Sequence, residues 1–199
     1  MKVIKTVPFQ NSLLLSTTAD ETVPAYNPAT TYAKDAEVNY SNLIYVSLQA
    51  ANTGNAPDTS PTFWLRKSAN NTYSMFDEFV NTQTTAASPL VIELKPREMI
   101  NSLAFFNLGG VTDIHIVVKD APGGTVVLDV TYNLDDTTIN DWYMYFFEPY
   151  DLRTDFVLQN IPPYPNAVIT CTFTSATSVQ VGTVVFGNAY QIGKTQYGV

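Results

Sequence analysis

Residues 113–133 read DIHIVVKDAPGGTVVLDVTYN. Two β-rich runs flank Asp120-Ala121-Pro122-Gly123-Gly124, which holds the Asp, Pro and Gly residues that a tight turn favours. The stretch therefore reads as a β-hairpin. In its first run Ile114, Ile116 and Val118 share one face and His115 falls on the other, because successive side chains in a strand point to opposite sides. Outward from this hairpin, similar runs recur at Leu90–Leu94, Leu103–Asn107, Asp113–Lys119, Thr125–Asn133, Trp142–Glu148, Asp155–Leu158, Ala167–Phe173 and Val179–Asn188. Gly109-Gly110, Asp135-Asp136 and Pro162-Pro163 punctuate them. About eight strands at this spacing predict an all-β, antiparallel, jelly-roll-like β-sandwich. No long segment shows a 3.6-residue period, and Pro96–Ile100 is read as a single helical turn. The run Trp142–Phe147 is bulky on both faces, as expected of a strand buried on both sides or one that meets another subunit.

Composition narrows the function. The chain has 199 residues, ten Lys and Arg, and a formal net charge of −8. Nucleic-acid binding needs clustered positive charge to displace counterions from phosphates, and these cations are scattered, so neither nucleic acid nor an anionic membrane is an expected partner. The start, MKVIKTVPFQNSLLLSTT, carries no export-signal pattern. The single cysteine, Cys171, alternates with Ile169 and Phe173 and reads as a small buried hydrophobe.

No set of residues reads as a reaction centre. His115 is the one histidine and sits in a strand, without a nucleophile elbow to serve. Paired carboxylates could hydrolyse a glycoside, with Asp135, Asp136, Asp141, Glu148, Asp151 and Asp155 as candidates. Asp135-Asp136 reads as a turn and Asp151 as a loop residue. Asp135, Asp136, Asn140 and Asp141 lack the spacing of a calcium loop. Gly109-Gly110 and Gly123-Gly124 lack the lysine and strand–loop–helix setting of a phosphate cradle. The expectation is a non-enzyme with no catalytic, cofactor-binding or metal-binding residues.

Three segments are expected: an extended N-terminal arm over 1–20, a small three-stranded β module over 21–68, and the sandwich over 69–199. The arm carries Val3, Ile4, Val7 and Phe9 and suits pairing with a sheet edge, in this chain or a neighbour. Ser68–Asn71 reads as a polar hinge. Candidate subunit-contact residues are Val3, Ile4, Val7, Phe9, Trp142, Tyr143, Tyr145 and Phe147.

The module has a further signature. Tyr26, Tyr32, Tyr40 and Tyr45 recur, Lys34-Asp35 forms a turn, and Val38-Asn39-Tyr40 and Leu43-Ile44-Tyr45 read as strands. The loop Asn52-Thr53-Gly54-Asn55-Ala56-Pro57 leads to a closing Trp64. This pattern resembles the small chitin- and cellulose-binding modules of carbohydrate-binding families 5 and 12. The resemblance makes Tyr26, Tyr32, Tyr45 and Trp64 candidate glycan-contact or module-core aromatics. Where those modules carry an exposed sugar-stacking ring, this chain has Gln49 and Ala50. The scaffold is kept while the usual platform is missing.

A second resemblance runs through Asn71-Thr72-Tyr73-Ser74-Met75-Phe76, Asp141-Trp142-Tyr143 to Phe146-Phe147-Glu148-Pro149, and Thr195-Gln196-Tyr197-Gly198. These stretches look like proteins encoded among the tail genes of tailed bacteriophages. The resemblance implies a virion structural protein of the tail, neck or fibre-attachment region, assembled in the host cytoplasm. Its partners would be other virion proteins, copies of itself and host surface glycan. The alternative is a carbohydrate-binding module of a host-recognition or polysaccharide-degrading system.

Overall fold

The computed structural model describes residues 2–77, 79, 81–137, 141–147 and 151–193. In chain order the strands are β1 (Lys2–Thr6), β2 (Leu14–Thr17), β3 (Glu37–Tyr40), β4 (Leu43–Ser47), β5 (Trp64–Ala69), β6 (Thr84–Ala87), β7 (Leu90–Leu94), β8 (Ser102–Gly109), β9 (Asp113–Lys119) and β10 (Val126–Asn133). The helix α1 (Trp142–Phe147) follows, then β11 (Asp155–Gln159), β12 (Val168–Thr174) and β13 (Ser178–Gln191). One sheet runs β1-β13-β8-β11, with β6 also on β13; the other runs β10-β9-β12-β7-β2. A separate three-stranded sheet, β3-β4-β5, is the module. All pairings between these strands are antiparallel.

The core follows from the alternation that the sequence displays. In β9, Ile114, Ile116 and Val118 are fully buried. Register then lays three apolar rows across the second sheet: Val118–Ile169–Leu94, Ile116–Cys171–Ile92 and Ile114–Phe173–Leu90. Leu103, Phe105, Val181 and Phe186 of the first sheet complete the same cluster. Phe105 meets Phe173 edge-on at 5.0 Å. Each such buried side chain contributes about 1.5–3 kcal/mol relative to exposure. Cys171 lies in the middle row, and its burial pushes the thiol pKa up to about 12.

The N-terminal segment is extended, and its partners lie in this chain. β1 pairs along the C-terminal half of β13 from Lys2↔Gln191 to Thr6↔Gly187. A Cβ at Gly187 would collide with the Lys5 carbonyl, so glycine is what lets the two backbones approach there. β2 pairs with β7 on the opposite sheet. The sandwich therefore takes strands from before the module as well as after it. Val7 and Phe9, named as subunit-contact candidates, are half-buried and pack against the sandwich core.

Three further expectations are corrected. Trp142–Glu148 is not a strand: Trp142–Phe147 forms α1, and Glu148 lies outside the described residues. Asp141 caps the helix, its Oδ1 accepting the Met144 N–H at 2.8 Å, while its carbonyl accepts the Tyr145 N–H at 3.1 Å. Rings four residues apart then meet, Trp142 on Phe146 at 6.1 Å and Tyr143 on Phe147 at 5.0 Å. Pro96–Ile100 forms no helical turn, and Arg97 there takes a positive φ of 61°.

Ser68–Asn71 is not a hinge. Asn70 is buried, and its Oδ1 accepts the Tyr73 N–H while its carbonyl accepts the Ser74 hydroxyl. Asn71 Nδ2 donates to the carbonyls of Asp20 and Thr85, both at 2.8 Å. Polar residues that would suit a loop are here the hydrogen-bonding groups of a joint between module and sandwich. The segment Asn71–Phe76 belongs to this joint, with Met75 fully buried and its N–H bonded to Thr84 Oγ1.

Candidate functional site

Two regions concentrate aromatic side chains. The first is the module. Its β3–β4 hairpin turns at Ser41-Asn42, both at positive φ, the geometry whose twist matches antiparallel strands. This places Val38 and Tyr45 on a common face, and β5 adds Trp64; all three are buried. Trp64 Nε1 donates to the Asn55 carbonyl at 2.8 Å, which fastens the Asn52–Pro57 loop. Asn52 is buried too, donating to Ser47 Oγ and accepting from Asn55 Nδ2.

Tyr26 and Tyr32 lean on that core. Tyr26 stacks on Tyr32 at 5.8 Å and stands edge-on to Trp64 at 5.9 Å; Tyr32 meets Trp64 at 5.3 Å. The Tyr32 hydroxyl accepts the Asn27 N–H at 2.7 Å. The Tyr26 hydroxyl is shut off from solvent without a hydrogen-bond partner among the described residues. Burial, and then the neighbouring Tyr32 and Tyr40 phenols, push its pKa up. The four candidate aromatics Tyr26, Tyr32, Tyr45 and Trp64 thus share one cluster, in which the Tyr45 ring meets Tyr40 at 6.4 Å and Tyr40 meets Tyr26 at 5.7 Å. Gln49 and Ala50 are exposed and offer no ring; Gln49 Nε2 donates to the Thr62 carbonyl.

The second region is α1. Trp142, Tyr143, Tyr145, Phe146 and Phe147 are between 63% and 78% exposed. No side chain of the helix is buried. Val3 is exposed and Ile4 half-buried, on β1. The structure does not bring β1 and α1 into one surface through any ring contact or hydrogen bond among the described residues.

The groups considered for catalysis have local roles. His115 Nε2 lies 2.7 Å from Asp129 Oδ1 on the outer face of β9 and β10, where both side chains are substantially exposed. Arg153 holds Asp136 at 2.9 Å, Asp135 Oδ1 accepts the Thr137 N–H, and Asp141 caps α1. Among the described residues no group of three or more His, Cys, Asp or Glu is placed to hold a metal ion. Asn140 and Glu148 lie outside the described residues. No described helix is long and apolar enough to cross a membrane.

No family model matches the chain, and no curated protein matches it. Solved structures do show similarity. Chitosan-binding module 1 of a chitosanase/glucanase from Paenibacillus sp. IK-5 aligns at 14% identity and a TM-score of 0.37, over 58% of this chain and 82% of that one. The CpGH89CBM32-5 module from Clostridium perfringens, solved with GalNAc-β-1,3-galactose, aligns at 11% and 0.39, over 57% and 81%. XRCC1 bound to the DNA polymerase β catalytic domain aligns at 12% and 0.38, over 58% and 85%. Carbohydrate-binding modules recur among these neighbours, and a protein-binding chain stands beside them.

Proposed function

We propose that this chain is a non-enzymatic contact protein whose ligand class is carbohydrate, carried in the tail, neck or fibre-attachment region of a tailed-bacteriophage virion. The observation that carries the contact reading is α1. It holds five aromatic side chains in six residues, all well exposed. Indole and phenol rings offer a flat apolar face to the C–H face of a sugar ring, with an N–H or O–H at the edge for its hydroxyls. The module's rings support the reading by contrast, since they are spent on the module's own core.

The virion setting rests on the likeness of Asn71–Phe76, Asp141–Pro149 and Thr195–Gly198 to tail-gene products. In that setting the same rings would meet another subunit, because a contiguous exposed apolar patch marks a contact site. A glycan array probed with the full chain and with Trp142→Ala/Tyr143→Ala tests the ligand class. Binding reduced tenfold or more in the variant supports it, and an array with no hits argues against it. Light scattering of both proteins tests the subunit reading, which expects an oligomer that the variant disperses.

A further inference from the structure

A cleft of about 230 Å³, open to solvent, lies where the module meets the sandwich. Its sandwich side carries Phe9, Tyr73 and Phe76, and its module side carries Asn42 and Arg66. Phe9 stacks on Phe76 at 4.1 Å with the ring planes 3° apart, and Tyr73 stands edge-on to Phe9 at 6.1 Å. The aromatic wall is anchored on one side. Phe9 and Phe76 pack against the sandwich core, and the Tyr73 and Phe76 backbones are bonded into the joint. The module side is fixed by a hydrogen bond from Asn70 N–H to the Asn42 carbonyl at 3.0 Å.

Arg66 gives the cleft its chemical bias. Its guanidinium has no ion-pair partner among the described residues. The one carboxylate lining the cleft, Asp77, is committed elsewhere. Its oxygens accept the Thr82 hydroxyl at 2.7 and 2.8 Å and the Phe79 N–H at 2.9 Å. A guanidinium matches a planar carboxylate with two parallel N–H donors. The side-chain amides of Asn11 and Asn42 add donors and acceptors of the kind that sugar hydroxyls need.

We propose that this cleft binds an acidic saccharide, with the sugar carboxylate on Arg66, the ring against the Phe9–Tyr73–Phe76 wall and hydroxyls on Asn11 and Asn42. The inference rests on the carbohydrate reading above and adds a second site, away from α1, with a defined charge preference. Uronic and sialic acids share the recognised group. The test is therefore a titration of the full chain with oligosaccharides ending in a uronic acid, with others ending in a sialic acid, and with the carboxyl-reduced counterpart of each. Amide shifts in a 15N-labelled sample report the site.

At least one acid series should bind tenfold or more tightly than its reduced form, with shifts centred on Asn42, Arg66 and Tyr73. Added salt should narrow the gap. Arg66→Gln should bring the acid to within about twofold of its reduced form. Its melting temperature should be unchanged, because Arg66 is exposed. Arg66→Lys should restore part of the preference, supplying charge without the fork. Equal binding of acid and reduced sugars, or a preference that survives Arg66→Gln, overturns the acidic cleft. Neutral sugars that bind with shifts at α1 alone would do the same while leaving the carbohydrate reading intact. No binding by any saccharide would sink both.

Discussion

The module and α1 are both rich in Tyr, Trp and Phe, yet they use them in opposite ways. In the module, tyrosines separated by turns and short strands come from several directions and close over Trp64, which is 3% exposed. In α1 five rings crowd into six residues, broken only by Met144, so a single short helix fans them outward, and Trp142 is 78% exposed. Residue type alone does not separate a core from a contact surface. What separates them is whether the backbone returns to face the ring.

That contrast can be broken most forcefully at Trp64. Trp64→Ala should cost about 3–5 kcal/mol, because it removes the ring on which Tyr26 and Tyr32 lean and frees the Asn55 carbonyl. Chemical denaturation measures the loss, and an unchanged midpoint would mean that the module's rings do not form its core. The joint comes next. Asn70→Ala should cost about 1 kcal/mol, since the part-buried Tyr73 N–H keeps only the Asn70 carbonyl at 3.2 Å and the Asn39 side chain loses a donor. Proteolysis should then cut between module and sandwich in the variant and spare the native chain there.

Tyr26→Phe sharpens the comparison from the other side. It removes a buried hydroxyl that has no partner among the described residues, so stability should hold or rise by up to about 1 kcal/mol. A loss of more than that would show that the oxygen is bonded. Trp142→Ala should change stability least, within about 0.5 kcal/mol, as expected at an exposed position. A large loss there would place α1 in the fold's own packing.

Much of this architecture could be read locally. The Asp113–Asn133 hairpin and the strands β7, β8, β11, β12 and β13 announce themselves by alternation and by the turns between them. The module's three strands follow from Val38-Asn39-Tyr40, Leu43-Ile44-Tyr45 and the closing Trp64. The partner of β1 could not be read, because its pairing with β13 joins the two ends of the chain and leaves no local mark. The joint was hidden for a different reason. Asn70 and Asn71 are loop formers by type, and only the surrounding carbonyls and N–H groups reveal them as buried connectors. The helix α1 did leave a signal, in Asp141 placed to cap a run that lacks strand alternation. The bulk of that run drew the reading toward a strand. The cleft at Arg66 gathers residues from four separate stretches of the chain, and no spacing rule collects them.

The chain has two tryptophans, one in each of the contrasted regions. Trp64→Phe and Trp142→Phe therefore leave single reporters, and acrylamide quenching of their fluorescence compares the two directly. Trp142 should be quenched readily, Trp64 scarcely, and Trp142 alone should become protected when a bound glycan or a partner subunit covers α1. Equal quenching of the two, or a Trp142 that stays fully accessible in the bound state, would contradict the assignment of α1 as the contact surface.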